Sequence, residues 1–282
     1  MASDIIEELE LNNLLLLDRM NDFTEMDPLY SFALDELLCR STGQGGPAVC
    51  HIWRHPHAFI MGLRDSRLPS AGEAGTWLAS QGWDAAVRNS GGAAVPLDNG
   101  VVNLSLILPK STAMDFHFHH DFERMYGLIR HALRNTGFDV DKGEIAGAYC
   151  PGDFDLSIGG LKFCGIAQRR QAHAFIIQAF VIAEGSGQER AQLVRTFYER
   201  AAAGGEPADY PMVTDSSTAS LEELAGLGEN AAALFAEAIK GIIRSGQTPE
   251  GLAEAAGRLS MPTQEQVHDM IHSLRSRYDI SP

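Results

Sequence analysis

The chain has 282 residues, 45% hydrophobic and 21% charged, which is ordinary globular usage and enough for one sizeable α/β domain. That composition excludes a disordered chain, a coiled coil and a collagen-like repeat. With 22 basic and 37 acidic residues the formal charge is −15, which repels a phosphate backbone and argues against nucleic acid as a partner.

In chain order, the N-terminus carries Asp4, Glu7, Glu8 and Glu10, the opposite of a cationic export signal. Asp27 as N-cap and Pro28 at the first helical position predict a helix over Pro28 to Cys39, with Phe32, Leu34, Leu37 and Leu38 as its apolar stripe. Gly43 to Pro47 breaks the chain, and Val49 to Trp53 reads as a short strand. Asp65 to Gly75 is a loop rich in Gly, Pro and Ser, running into a short helix over Glu73 to Gln81. Strand-like runs follow at Ala93 to Leu97, Val101 to Leu108, Asp155 to Ile158, Leu161 to Ala167 and Ala174 to Ala183. Asp98-Asn99-Gly100 predicts a hairpin turn with positive φ angles, and Gly159-Gly160 predicts another. Hairpins this close together imply an α+β protein with a mixed, largely antiparallel sheet flanked by helices, not a doubly wound parallel one.

A long amphipathic helix over His119 to Asn135 interrupts the hairpins, with Phe122, Met125, Tyr126, Ile129 and Leu133 at helical spacing. Beyond Gly187 the pattern turns helical, over Gln188 to Ala203, Ser220 to Leu227, Asn230 to Ser245, Pro249 to Leu259 and Thr263 to Tyr278. The polar stretch Gly204 to Thr218 separates the first of these from the rest. It divides the chain into a larger domain over residues 1–218 and a C-terminal helical extension over 219–282, expected to pack on the same domain.

The longest apolar stretch, Ala172 to Ala183, is broken by His173 and Gln178 and falls short of the roughly 20 residues that cross a bilayer. Four cysteines, Cys39, Cys50, Cys150 and Cys164, are too sparse for a disulfide scaffold and form no C-x-x-C pair. A reduced, cytoplasmic protein without a membrane anchor is expected.

Three segments carry more than core-building information. In Arg88-Asn89-Ser90-Gly91-Gly92-Ala93-Ala94-Val95 a polar turn and two glycines lead straight into a buried strand. Glycines there let backbone approach a ligand closely and aim N–H groups at an oxygen, although a plain β-turn needs the same residues. In Gly147-Ala148-Tyr149-Cys150-Pro151-Gly152 a cysteine sits on a Pro-Gly turn ahead of a strand, where its sulfur can stay accessible as an acyl-transfer nucleophile. A free cysteine is also an ordinary small hydrophobe, the reading that suits Cys39, Cys50 and Cys164 on apolar elements. In the third segment Lys162 follows the Gly159-Gly160 turn between apolar residues, at the edge of the core. An ammonium there can polarise an acyl carbonyl or lower the pKa of a nearby thiol; the bland alternative is a solvated hairpin lysine.

His117, His119 and His120 lack the i, i+4 spacing of a helical zinc site and have no nearby cysteine, so they read as a cluster at a helix start. His51, His55 and His57 around Pro56 read the same way.

Taken together, the three segments resemble the lipoate–protein ligase, octanoyltransferase and biotin–protein ligase superfamily, over about Asp27 to Glu184. Arg88-Asn89-Ser90-Gly91-Gly92 stands where that superfamily carries an Arg-Arg-x-[Ser/Thr]-Gly-Gly pattern. Lys162, in Gly160-Leu161-Lys162-Phe163-Cys164-Gly165-Ile166-Ala167-Gln168, stands where it has its single active-site lysine. The stretch Gly147 to Ile158, followed by Gln168-Arg169-Arg170, is similar to a narrower branch. Its members move octanoyl from the glycine-cleavage H protein to lipoyl domains of the E2 subunits of 2-oxoacid dehydrogenases.

The resemblance implies a biotin/lipoate ligase-like sheet, with Cys150 and Lys162 catalytic and Arg88, Ser90, Gly91, Gly92, Gly165 and Gln168 binding substrate. By it, Cys150 takes the octanoyl group as a thioester, while Lys162 and N–H groups near Gly91-Gly92 stabilise the oxyanion. Octanoylated H protein is the implied donor, an E2 lipoyl domain the acceptor, and a monomer the working form. Exchanging one amide for another is nearly thermoneutral, so neither ATP nor another cofactor is implied. The segment departs from the ligases in continuing Ala93-Ala94-Val95-Pro96 without their Arg and His, and Cys164 replaces a usual Ala or Ser. Carrier domains of this kind are commonly acidic, so docking on this acidic chain calls for a local basic area such as Arg169 and Arg170. An ATP-dependent lipoate ligase and a non-catalytic acyl-carrier-binding protein remain the alternatives.

Overall fold

In a computed structural model that describes residues 2–110, 118–203 and 210–278, two sheets pack with helices on their outer faces. Helix α1 (Ala2–Glu8) and strand β1 (Leu15–Arg19) open the chain, and neither shows a legible period in the sequence. Helix α2 (Tyr30–Gly43) starts later than expected. The Asp27 carboxylate and carbonyl accept the N–H groups of Leu29 and Tyr30, both at 2.9 Å, so Asp27 closes a turn before the helix and does not cap it.

Strand β2 (Val49–Trp53) lies where expected, and β3 (His57–Met61), helix α3 (Ala71–Ser80), β4 (Asp84–Val87) and β5 (Val95–Asp98) follow. Then come β6 (Val101–Pro109), helix α4 (Phe118–Leu133), β7 (Asp141–Lys142), β8 (Leu156–Ile158), β9 (Leu161–Arg170) and β10 (Ala174–Ile182). The larger sheet runs β1-β2-β6-β10-β9-β8-β7, parallel only between β1 and β2. A smaller one runs β4-β3-β5 and has one parallel and one antiparallel pair. The expected mixed, largely antiparallel architecture is what the chain adopts.

One turn behaves differently from its sequence signal. Gly159 and Gly160 have φ of 59° and 81° and close a β8–β9 hairpin as expected. Asp98-Asn99-Gly100 makes no hairpin: β5 pairs with β3, β6 pairs with β2 and β10, and neither Asn99 nor Gly100 has positive φ. The turn hands the chain from the small sheet to the large one. Gly100 is required there by crowding, because a Cβ would lie 2.5 Å from the Glu184 carbonyl oxygen. The buried Arg190 guanidinium holds the Asp98 carboxylate in a bidentate pair, at 2.8 and 2.7 Å, and fixes the corner.

Helix α5 (Gly187–Ala201) covers the small sheet together with α3. Beyond it lie α6 (Leu221–Ala225), α7 (Ala231–Ser245), α8 (Pro249–Arg258) and α9 (Gln264–Arg277). Side chains of Ser220, Thr248 and Thr263 cap three of them, which is why their starts were legible. Phe235, Ile239 and Ile243 of α7 join the core under one face of the large sheet, with α1 and α4. Val267, Ile271 and Leu274 of α9 join the core on the other face, against α2. Each such fully buried aliphatic or aromatic side chain contributes about 1.5–3 kcal/mol. Among the described residues no helix is long and apolar enough to cross a membrane. Residues 204–209 of the expected linker, and His117, lie outside the described residues.

Candidate active site

A cavity of about 630 Å³ lies between the two sheets, and Cys150 borders it at 8% exposure. The Tyr149-Cys150-Pro151-Gly152 turn puts Cys150 at φ 48°, a left-handed conformation that a non-glycine residue adopts at a cost of about 1–3 kcal/mol. Lys162 holds it there. Its ammonium, 0% exposed, donates to the carbonyls of Tyr149 at 2.8 Å and Cys150 at 2.6 Å, and pairs with Asp155 Oδ1 at 2.8 Å. Its three N–H bonds are thus matched by three protein oxygens, deep in the core and not at its edge. Asp155 in turn accepts the Gly152 N–H at 3.2 Å, tying the turn to the strand that follows. Burial pushes the Asp155 carboxyl up to about 6, against the pull of Lys162.

Two donors converge on the Cys150 sulfur. The Ala93 N–H lies 3.2 Å away and Arg88 Nη2 lies 3.6 Å away. Arg88 is buried, and its guanidinium also donates to the carbonyls of Gly91 at 3.1 Å and Ala93 at 2.6 Å, folding the glycine segment around itself. Gly92 must be glycine: it has φ 96°, and a Cβ would meet Arg88 Nη2 at 2.6 Å and the Cys150 sulfur at 2.9 Å. Opposite it, a Cβ on Gly62 would stand 2.0 Å from the Gly92 carbonyl oxygen.

The remaining expected site residues border the same cavity. Ser90 is buried, and its hydroxyl has no hydrogen-bond partner among the described residues. Gly165 leaves room for the Phe180 ring, which a Cβ would meet at 2.6 Å. Gln168 donates to Asp121 at 2.7 Å, and Asp121 also pairs with Arg170. Arg169 pairs with Glu36 at 3.0 Å, so both arginines expected to offer a basic docking area are matched by carboxylates within the chain.

Several residues of the site had no signal in the sequence. Tyr198, on α5, accepts the Ala94 N–H at 3.1 Å and donates to Asp65 Oδ1 at 2.9 Å; Asp65 Oδ2 accepts the Gly62 N–H at 2.7 Å. Burial raises both the Tyr198 hydroxyl and the Asp65 carboxyl above their ordinary values. Glu36, on α2, receives Asn89 Nδ2 at 3.1 Å besides Arg169. These contacts fix the peptide on either side of the glycine pair.

The other thiols do not line the cavity. Burial pushes Cys39 and Cys50 up to about 12 and raises Cys164 well above its ordinary value. Of the histidines, His119 stands at the cavity mouth with its ring 6.1 Å from that of Phe154, while His51 is buried against Asp35 at 2.7 Å.

A family model described as the lipoyl protein ligase A/B catalytic domain matches residues 27–241. The matched span exceeds the Asp27–Glu184 resemblance and takes in α5, α6 and most of α7. Solved structures agree in fold. Lipoate-protein ligase A bound with ATP superposes with a TM-score of 0.62 at 19% identity, over 94% of each chain. The bi-partite lipoate protein ligase from Thermoplasma acidophilum gives 0.58 at 19% identity, over 94% of this chain and 92% of that one.

Fold and sequence match together define a lipoyl protein ligase A/B catalytic domain, with a cysteine bordering the cavity between its sheets. Curated relatives narrow the class. One from Macrococcus caseolyticus is 43% identical over 202 residues, covering 71% of this chain and 73% of its own. Another from Geobacillus kaustophilus is 42% identical over 214 residues, covering 74% and 75%. Both carry the name octanoyl-[GcvH]:protein N-octanoyltransferase, and the chain belongs to that family.

Proposed function

We propose that this protein transfers an octanoyl group from a lysine of the glycine-cleavage H protein to a lysine of an E2 lipoyl domain, without ATP. The observation that carries the reading is Cys150: a positive-φ cysteine at the cavity, its sulfur facing two N–H donors. The relatives' shared name supplies the donor and the acyl group.

In the first half-reaction the Cys150 sulfur attacks the carbonyl carbon of the octanoyl-lysine amide. The carbon–nitrogen bond breaks, the thiol proton leaves with the departing lysine amine, and an octanoyl thioester remains. In the second, the neutral amine of the acceptor lysine attacks the thioester, the carbon–sulfur bond breaks, and the sulfur regains a proton. Nothing is oxidised or reduced. The Ala93 N–H and the Arg88 guanidinium favour negative charge on sulfur, both when it attacks and when it leaves. N–H groups of the glycine turn would receive the oxyanion. Lys162 acts through Cys150, as a positioning residue that keeps the strained turn in place. The protein would work as a monomer in a reduced, cytoplasmic setting, where its cysteines stay free thiols.

Intact mass after incubation with octanoylated H protein, without ATP, tests this. Wild type should gain one hydroxylamine-labile octanoyl group and Cys150→Ala none. No gain in either, with acceptor modification supported by ATP and free octanoate, would instead establish a ligase.

A further inference from the structure

The large sheet forms one wall of the cavity, and its strand registers lay two rows of side chains across that wall. Gly165, Phe180, Asn103 and Trp53 are successive cross-strand neighbours in one row. Ala167, Gln178, Ser105 and His51 form the row beside it. The Gly165 end is the reactive end: a Cβ there would lie 3.4 Å from Lys162 Nζ, which itself stands 2.6 Å from the Cys150 carbonyl oxygen.

Strands stand about 4.8 Å apart, so the step from Gly165 to Asn103 spans about 10 Å. Seven carbon–carbon bonds of about 1.5 Å at tetrahedral angles reach roughly 9 Å when extended. An eight-carbon acyl chain running along the first row therefore ends at Asn103, one strand short of Trp53.

The lining changes character at that distance. Over the first strands the acyl chain meets Phe180, with Ile60, Val95 and Leu97 of the small sheet bordering the same cavity. Beyond them the cavity is lined by Asn103, Ser105 and Trp53, and Gln178, rooted on the strand of Phe180, reaches toward that end with its amide 3.4 Å from the Asp35 carboxylate that also holds Ser105. Gln178 Oε1 and Trp53 Nε1 are buried and have no partner among the described residues. Behind them Asp35, fully buried on α2, accepts the Ser105 hydroxyl and binds His51 Nδ1, so this polar wall is fixed in place.

We propose that this polar end is the length gauge of the acyl site: a chain of eight carbons stops at Asn103, and Trp53 and Gln178 reject a longer one. Extra methylenes would strip water from two polar atoms that have no other partner. Leaving buried polar atoms unpaired outweighs the hydrophobic gain of a few methylenes. This rests on the reading of the cavity as the acyl site of Cys150.

The test compares thioester formation, by intact mass, with H protein carrying octanoyl, decanoyl or dodecanoyl. Wild type should favour octanoyl over decanoyl by roughly ten- to a hundredfold. Gln178→Leu should shrink that ratio to within about threefold. Trp53→Phe, which keeps an aromatic ring against Phe32 (5.3 Å between centroids), should do the same and serves if Gln178→Leu folds poorly. An unchanged ratio in a folded variant that still forms the octanoyl thioester overturns the gauge alone, as does a wild type that accepts dodecanoyl as readily as octanoyl. Absence of any thioester in wild type overturns the acyl-site reading and the gauge with it.

Discussion

Lys162 grips the peptide on both sides of the Cys150 α-carbon, with its ammonium 2.8 Å from the Tyr149 carbonyl oxygen and 2.6 Å from that of Cys150. Hydrogen bonds from a charged donor contribute about 1.5–3 kcal/mol each. That is enough to offset the strain of a cysteine at φ 48°. Lys162→Met would leave two carbonyls unpaired and the Asp155 carboxylate without its cation in the core. We expect a loss of about 3–5 kcal/mol together with at least a hundredfold slower thioester formation. The double variant Lys162→Met/Asp155→Leu should regain much of the melting temperature and none of the rate, since only the buried charge has been removed. Recovery of the rate as well would show that the grip on the turn is dispensable.

Thiol labelling should be selective. Cys150 borders the cavity and faces two donors, whereas burial raises the other three thiols. Iodoacetamide at pH 8 should modify Cys150 alone in the native protein, as read by peptide mapping, and Cys150→Ser should take no label until it is unfolded. Labelling of Cys164 at a comparable rate would contradict the placement of both residues.

Tyr198 holds Ala94 so that the neighbouring Ala93 N–H meets the sulfur. Tyr198→Phe keeps the ring but leaves the Ala94 N–H and one Asp65 oxygen without a partner. Stability should fall by about 1–3 kcal/mol. The rate of Cys150 alkylation should fall severalfold, with the KM for carrier protein unchanged. Tyr210→Phe, whose ring stacks on Tyr198 at 5.5 Å, should leave the alkylation rate alone. Equal effects of the two variants would reduce Tyr198 to a packing role.

Asp155 sets an acid limit. Its carboxyl is pushed up from 3.8 to about 6 by burial, so below pH 6 it holds a proton and no longer offers Lys162 a charge. Thioester formation should fall off through pH 6, and Asp155→Asn should remove that limb from the pH profile. Stability runs the other way. The native state binds this proton more tightly than the unfolded chain, so the contribution is full below about pH 4 and lost as pH rises through 6. A limb that persists in Asp155→Asn would belong to another group.

Local chemistry made much of the fold legible. Strand Val49–Trp53 and the hairpin at Gly159-Gly160 follow from β-prone residues and from glycines at positive φ. The C-terminal helices begin beside Ser220, Thr248 and Thr263 because those side chains satisfy open N–H groups. Strands His57–Met61 and Leu15–Arg19 were silent, holding one β-branched residue between them where Val49–Trp53 has two. Asp98-Asn99-Gly100 misled because its glycine serves crowding from Glu184 and not a left-handed turn.

The sequence by itself determined the class of elements, the cysteine on its Pro-Gly turn, the glycine pair and the lysine after a second turn, because these depend on residues close together in the chain. Only the tertiary structure decided what they do to one another. That Lys162 spends its protons on the Cys150 turn, that Ala93 offers its N–H to the sulfur, and that Tyr198 braces that peptide from a helix 133 residues beyond Asp65 all follow from sheet register and helix packing. Contacts of that kind are fixed by burial of the whole core, and burial leaves no local mark on the residues it brings together.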